Sequence, residues 1–338
     1  MNNERVLRIA KAPMRISFIG GGTDFKSFYT KSDVPGRVLG TTINKYVYVM
    51  ASDHPNFEPF KYKFTYRKTE EVNDIQAFEH PVVRATLQKL NWNAPLNLAT
   101  MASLPGRSGL GSSSAFTVAL LAALNSKNIS LDEEKEALAL EAIEIERTLL
   151  SEPGGVQDQY HSAFGGFRLY EFEKGSTKIH PKSCNRDFLK LLDDSLYLVA
   201  SGPERSSHTH ASKIEDRIND SKVYSNLVKM SDLAIETHLL IENSDSPEEK
   251  LGILKGGLRE SWEIKKRIGV ELSPETLEII ERGASLGADS FKLCGAGGSG
   301  FVAFLTSPIT ARSLKEAFGF NHVFQPGISQ EGVELVSF

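Results

Sequence analysis

The 338-residue chain has only two cysteines, Cys184 and Cys294, too few for a disulfide framework or a cysteine-based zinc site. It has no block of basic residues, and its formal net charge is −4. That argues against nucleic acid as a partner and leaves an ordinary solvated surface as the simplest account. Long apolar runs are missing too. The longest nearly apolar stretch, Ala115 to Leu124, falls well short of the ~20 residues that a membrane-spanning helix needs. The polar start, Asn2-Asn3-Glu4-Arg5, lacks the apolar region of a signal peptide. A soluble, cytoplasmic protein without membrane or nucleic-acid partners is expected. Internal repeats and low-complexity tracts are also absent. What is present is 40% hydrophobic residues, enough for a sizeable core and for two domains.

The first half mixes strands and helices. Val6–Ala10, Arg15–Ile19, Val38–Met50, Lys61–Tyr66 and Leu96–Met101 read as strands, with Tyr46-Val47-Tyr48-Val49 the most strand-like. A helix is expected from Ser112 to about Asn125. A second follows Ser130-Leu131-Asp132-Glu133, which has capping-box spacing, and ends at Glu152-Pro153-Gly154-Gly155. Phe167–Phe172 and Leu196–Ala200 read as strands. A long polar helical region runs from Ser207 to Gly287, with Ser273-Pro274-Glu275 opening one of its helices. Strands return at Ser290–Leu293 and Phe301–Leu305. Periodicity alone supports an α+β fold with a domain boundary near Ser195, dividing 1–195 from 196–338.

Two features point to chemistry. The first is the glycine turn Leu104-Pro105-Gly106-Arg107-Ser108-Gly109-Leu110-Gly111, which runs into Ser112-Ser113-Ser114 and a helix. Glycines let the backbone approach an anion closely, and a helix start presents free N–H groups and a favourable dipole. This is a phosphate cradle without the Gly-Lys-Ser/Thr of a Walker loop. The second is Glu146. At about 100° per residue, Leu138, Ala139, Ala142, Ile143, Ile145, Leu149 and Leu150 share an arc of roughly 160°, and Glu146 lies near its middle. A carboxylate there must be neutralised by a metal, a cation or hydrogen bonds.

Two further glycine-rich segments are Pro13-Met14-Arg15-Ile16-Ser17-Phe18-Ile19-Gly20-Gly21-Gly22-Thr23-Asp24 and Lys292-Leu293-Cys294-Gly295-Ala296-Gly297-Gly298-Ser299-Gly300. Together with the first, and in the same order, they resemble the signature motifs of the GHMP small-molecule kinases. Within that superfamily the chain is most similar to the branch that phosphorylates D-glycero-D-manno-heptose 7-phosphate at its anomeric carbon. The resemblance implies a two-domain GHMP kinase fold: an N-terminal domain like ribosomal protein S5 domain 2 and a ferredoxin-like C-terminal domain.

It also implies ATP as co-substrate and Mg2+ as cofactor. Asp158, in Gly154-Gly155-Val156-Gln157-Asp158, would be the catalytic carboxylate, faced by Arg15 as a catalytic cation. Arg107, Gly109, Leu110, Gly111, Ser112, Ser113 and Ser114, with Gly297 and Gly298 of the third motif, would bind the nucleotide. Glu146, twelve residues before Asp158, would ligate the metal together with Ser113. The substrate would be held by Gly22, Thr23 and Asp24, by Gly155 and Gln157, and by Arg205 and Gly295. His208 and His210 have poor spacing for a shared metal and are given no metal role.

Galactokinases carry Gly-Glu-His-Thr-Asp where this chain has Gly20-Gly21-Gly22-Thr23-Asp24. Loss of the Glu and His removes hexose-defining groups and a negative charge that would repel a distal phosphate. The expected partners are therefore a sugar phosphate and ATP, with a homodimer left open. The competing readings are another sugar 1-kinase (galactokinase- or fucokinase-like), a kinase of the mevalonate type, and a non-catalytic sensor with the kinase fold.

Overall fold

The computed structural model describes residues 7–54, 57–106, 108–125, 129–183, 185–201, 215–288, 290–295 and 300–336. Arg107, Arg205, Gly297 and Gly298, with Cys184, His208 and His210, lie outside the described residues.

Among the described residues the strands form two sheets, and helices pack on them, the α+β architecture expected. The larger sheet is built on β1 (Arg8–Ile19) and β2 (Gly36–Asp53), which pair antiparallel along most of their length. The sequence reading split β1 in two. The chain instead runs on through Pro13, where the register slips between Pro13 and Met14. Proline lacks the N–H that the ladder needs, so a bulge there is the local accommodation. β3 (Tyr62–Thr65), β4 (Thr69–Val72) and β5 (Leu96–Ala102) extend the sheet on one side of β2. β6 (Arg168–Glu173) also pairs with β2, and β7 (Ser176–Ile179) pairs with β6.

The smaller sheet contains β8 (Leu196–Ala200), β9 (Phe291–Leu293), β10 (Phe301–Leu305) and β11 (Val323–Phe324) in the order β11-β8-β10-β9. Strand alternation gives it two faces. Tyr197, Val199, Phe291, Leu293, Val302 and Phe304 enter a core with the helices Pro274–Ser285 and Pro308–Phe318. Leu196, Leu198, Ala303 and Leu305 face the other way, into the main core. The last two strands, β12 (Ile328–Ser329) and β13 (Glu334–Val336), return to β2 and β1 of the larger sheet.

The described part of the long polar region is three helices with clear stops. Asp220 accepts from the N–H groups of Lys222 and Val223 at the start of Ser221–Asn243. Ser246 and Ser273 cap Pro247–Ile268 and Pro274–Ser285, each with proline in the first turn. Only half of the capping box expected at Ser130 forms, one residue later, since the N-cap Leu131 has no side-chain acceptor. The helix Asp132–Ile143 starts after Leu131, whose N–H is accepted by Glu134 at 3.4 Å.

Candidate active site

The glycine turn leads from β5 into the helix Ser112–Leu124, which is apolar on every side and buried nearly throughout. An all-apolar helix belongs in the core, and its N-terminus is therefore held fixed. Leu110 is fully buried and accepts the Arg15 N–H at 2.9 Å, so it anchors the turn from behind and does not face the cavity. Gly109 has φ +73°, and a Cβ there would lie 2.4 Å from the Cys294 carbonyl oxygen. From the other side, a Cβ on Gly295 would lie 2.7 Å from the Gly109 Cα. The glycine loops of the two sheets thus touch at their backbones, which only glycine permits. Ser112, Ser113 and Ser114 line the cavity beside them, Ser113 exposed and the other two buried.

Arg15 and Asp158 meet in a two-pronged pair, Nε to Oδ1 at 2.8 Å and Nη2 to Oδ2 at 2.7 Å. Nη1 donates to the Gly109 carbonyl at 2.7 Å, tying the pair to the glycine turn. Fork-to-carboxylate geometry of this kind fixes orientation as well as charge. The Asp158 side chain is 20% exposed against 8% for Arg15, so the carboxylate is the member presented to the cavity. Gly111 completes the arrangement, since a Cβ there would lie 3.2 Å from Arg15 Cγ and 3.4 Å from Asp158 Oδ2. Behind Arg15 lies His161, whose protonation is driven well down by burial and then by the charges of Arg15 and Arg168.

Asp24 is buried, and it joins the first motif to the turn that carries Asp158. Its carboxylate accepts from the Gly22 N–H at 3.1 Å and the Gln157 N–H at 3.2 Å. Burial and then the Asp158 charge push its pKa up, against those N–H bonds. A Cβ on Gly155 would fall 1.8 Å from Asp24 Oδ2, so Gly155 is needed for the approach. Gly22, Asp24, Gly155, Gln157 and Gly295 line the same cavity as Asp158. Thr23 sits behind the wall: its hydroxyl donates to the Gly20 and Arg37 carbonyls and accepts from the Arg37 N–H. With those bonds made and no surface exposed, it shapes the turn from within.

Glu146 is 1% exposed, on the cavity wall. Its burial is as expected, but the arc that predicted it is altered. Residues Glu144–Leu149 form a π-helical turn following Asp132–Ile143. The wider turn changes the phase: Ile145 and Glu146 stay buried, whereas Leu149 is 50% exposed. Oε2 of Glu146 accepts from Ser114 Oγ at 2.9 Å and Gln159 Nε2 at 2.8 Å, with an Arg147 guanidinium nitrogen at 3.5 Å. Oε1 is buried without a hydrogen-bond partner. Burial drives this carboxyl's pKa up, against the Arg147 charge and bonds from Thr117 and Ser114. No group of three His, Cys, Asp or Glu gathers as a metal cluster among the described residues. A lone orphaned carboxylate oxygen near the cradle does fit Mg2+, which binds through one or two carboxylates plus phosphate oxygens.

The cavity enclosed by these groups has a volume of about 610 Å³, in the range of small-molecule sites. Sequence reasoning missed part of its wall. Tyr66, His80, Pro81 and Val82 line it, and His80 packs against Phe116 of the cradle helix at 5.2 Å. Lys265 and Lys292 line it from the helix Pro247–Ile268 and from β9. Lys292 stands in the third motif and could have been singled out there; Lys265 lies in a run of charge with no local signal.

Loop, paired carboxylate and orphaned glutamate thus line one cavity. Residues 77–166 match the GHMP kinases N terminal domain. The chain is 28% identical over 324 residues to D-glycero-alpha-D-manno-heptose 7-phosphate kinase of Campylobacter jejuni, with 91% of each protein covered. It is 30% identical over 160 residues to galactokinase of Thermotoga petrophila, a match spanning 46% of this chain and 43% of that enzyme. The structure of a D-glycero-D-manno-heptose 1-phosphate kinase from Bacteroides thetaiotaomicron aligns over 98% of this chain and 99% of that one, with TM-score 0.75 and 21% identity. The chain thus carries a GHMP kinases N terminal domain match over part of its length, and the relatives it resembles are sugar kinases that transfer phosphate to a hydroxyl group. No helix among the described residues is long and apolar enough to cross a membrane.

Proposed function

We propose that the chain is an ATP-dependent sugar kinase that phosphorylates the anomeric hydroxyl of D-glycero-D-manno-heptose 7-phosphate. The product would be the 1,7-bisphosphate, a step toward nucleotide-activated heptose for surface polysaccharide. The observation that carries the kinase reading is the Arg15–Asp158 pair bonded to the tip of the glycine turn. Asp158 orients the acceptor hydroxyl and takes up its proton at the carboxylate. Arg15 fixes that carboxylate and adds positive charge beside the cradle. Phosphoryl transfer runs through a loose transition state, so positioning and charge neutralisation outweigh early proton removal. The N–H groups at Gly111–Ser114 receive nucleotide phosphates. Bound Mg2+, held by Glu146 with Ser113, would neutralise charge on those phosphates. Asp24 and Gln157 accept and donate hydrogen bonds to the sugar. The parts 1–195 and 196–338 supply the cradle and the opposing wall.

The acceptor reading rests on the Campylobacter jejuni relative and on the first motif. A Cβ on Gly20 would strike the Arg37 carbonyl at 1.8 Å, so glycine is required there. At Gly21 the nearest atoms to such a Cβ are 3.9 Å and 4.0 Å away, ordinary contact distances. A side chain would fit at Gly21, and its absence leaves the cavity open for a longer acceptor.

The test compares kcat/KM for heptose 7-phosphate, free heptose, galactose and fucose, with ADP release as readout. Heptose 7-phosphate should lead, with free heptose at least tenfold slower, about 1.4 kcal/mol in transition-state binding. Galactose or fucose in first place overturns the acceptor and leaves the kinase. No ADP release with any sugar favours a sensor.

A further inference from the structure

Lys292 is the middle residue of β9, between Phe291 and Leu293, whose side chains enter the core of the smaller sheet. Alternation turns Lys292 to the opposite face, toward the cavity, where it is 6% exposed. It donates to the Leu293 carbonyl oxygen. Lys265 reaches the same wall from the helix Pro247–Ile268. Among the described residues neither lysine makes an ion pair.

Lys265 disfavours protonation of Lys292, and Arg15 acts on both lysines in the same direction. Of the carboxylates on the cavity wall, Asp158 is already bonded to Arg15, and Asp24 accepts backbone N–H groups. Burial and then the neighbouring charge of Lys265 drive the Lys292 pKa well down, and burial likewise lowers Lys265. Two lysines on one cavity wall, Lys292 buried and Lys265 half-buried, with no ion-pair partner among the described residues, suit an anionic ligand that would compensate their charge.

We infer that Lys265 and Lys292 form a phosphate subsite on the second-sheet wall, holding the phosphate that the acceptor already carries. This rests on the acceptor reading above. A phosphate dianion offers oxygens enough to bridge both ammonium groups through charge-assisted bonds. Its position favours the acceptor's phosphate over the transferring one. Asp24, the carboxylate of the sugar turn, lines the same cavity as both lysines and acts on Lys265 after Cys294, whereas Arg15 is tied to the glycine turn on the nucleotide side. Leu227, which lines the same cavity, lies 3.3 Å from where a Cβ on Gly22 would stand.

Lys265→Met and Lys292→Met are the variants, with Lys265→Gln as a milder third. The readout is the ratio of kcat/KM for heptose 7-phosphate to that for free heptose. The ratio should fall at least tenfold in each Met variant. A ratio held at the wild-type value while both rates fall assigns the lysines to the transferred phosphoryl group and overturns the subsite. In parallel, inorganic phosphate is titrated calorimetrically into ADP-saturated protein. Wild type should bind it, and each variant at least tenfold more weakly; equal binding in all three overturns the subsite. Preference for an unphosphorylated sugar, with phosphate binding still lost in the variants, sinks the acceptor reading alone. Preference for heptose 7-phosphate that survives both Met variants sinks the subsite alone. Thermal unfolding of the unliganded protein checks the fold: each variant should unfold in one transition with a midpoint near that of wild type.

Discussion

Glu171 and Glu146 are both buried glutamates, and the protein treats them in opposite ways. Glu171, on β6, is surrounded by cations. Arg37 Nε bonds Oε2 at 2.8 Å, while His180 Nε2 and Lys178 Nζ meet Oε1 at 2.6 Å and 3.1 Å. Burial pushes its carboxyl up, but the bonds from Arg37, His180 and Lys178 outweigh this and hold it at about 2. Arg37 also reaches Asp232 at 3.4 Å, which ties β2 and β6 to the helix Ser221–Asn243. Glu146 has two neutral donors and a more distant Arg147 guanidinium at 3.5 Å on one oxygen and no hydrogen bond on the other, and burial drives its pKa up. The first carboxylate is saturated by the fold and does structural service. The second is unsatisfied where it borders a cavity, as expected of a group that awaits a ligand. Asp158 lies between the two, held by one cation and still facing the cavity.

The largest effect should come from Asp158, the cavity-facing carboxylate proposed to take up the acceptor's proton. Asp158→Asn should lower turnover by on the order of a hundredfold or more, as for a positioned acid–base group. The KM for ATP should change little, because the glycine turn is untouched. Turnover within a few fold of wild type in a steady-state ADP assay would mean that Asp158 is not the catalytic carboxylate.

The contrast between the two glutamates breaks cleanly under a matched pair of substitutions. Glu171→Gln leaves Arg37 and Lys178 facing a neutral amide. It should cost about 2 kcal/mol in a urea unfolding curve, below the full cost of breaking a buried pair because Lys178 is 71% exposed. Its turnover per folded molecule should stay near wild type. Glu146→Gln removes an unsatisfied buried charge, so stability should hold or rise, while the magnesium activation curve should move to higher concentration. An unchanged magnesium curve together with a large loss of stability would make Glu146 a second Glu171, a structural group.

How much of this was legible in the sequence depended on how local each signal was. The glycine turn, Asp158 and Arg15 stand in contiguous motifs whose glycines are dictated by close backbone approach, and the fold brings them to one cavity. Glu146 was legible from periodicity, although the π turn at Glu144–Leu149 exposed Leu149 against that same periodicity. Thr23 and Leu110 lie in the motifs but face inward, since motif membership does not say which side of a turn a residue takes. The lysine wall was illegible, because Lys265 and Lys292 meet only when a helix packs against β9. The Glu171 cluster was hidden for the same reason: β2, β6 and a later helix bring its parts together.

The smallest effect separates the two glutamates along the pH axis. Glu171 has a folded pKa of about 2 against 4.5 for an ordinary glutamate, so its stabilisation is complete above about pH 4.5 and is lost as pH falls toward 2. His238 packs against His180 with ring centres 5.2 Å apart, and burial and then His180 hold it down to about 4 from 6.5. Above 6.5 neither the folded nor the unfolded imidazole carries a proton. Between 6.5 and 4 the unfolded chain takes one up and the folded chain does not, so stability falls as pH falls. His161, also held low by burial, acts in the same direction. Acid should therefore destabilise the protein in two stages, histidines from 6.5 to 4 and Glu171 from 4.5 to 2. His238→Gln should flatten only the upper stage, by roughly 1–2 kcal/mol between pH 7 and 4. Glu171→Gln should flatten only the lower one, while Glu146→Gln should flatten neither. Urea midpoints measured from pH 7 to 3 on the three variants check this. A lower stage that survives in Glu171→Gln would show that the saturated carboxylate is not what the fold loses in acid.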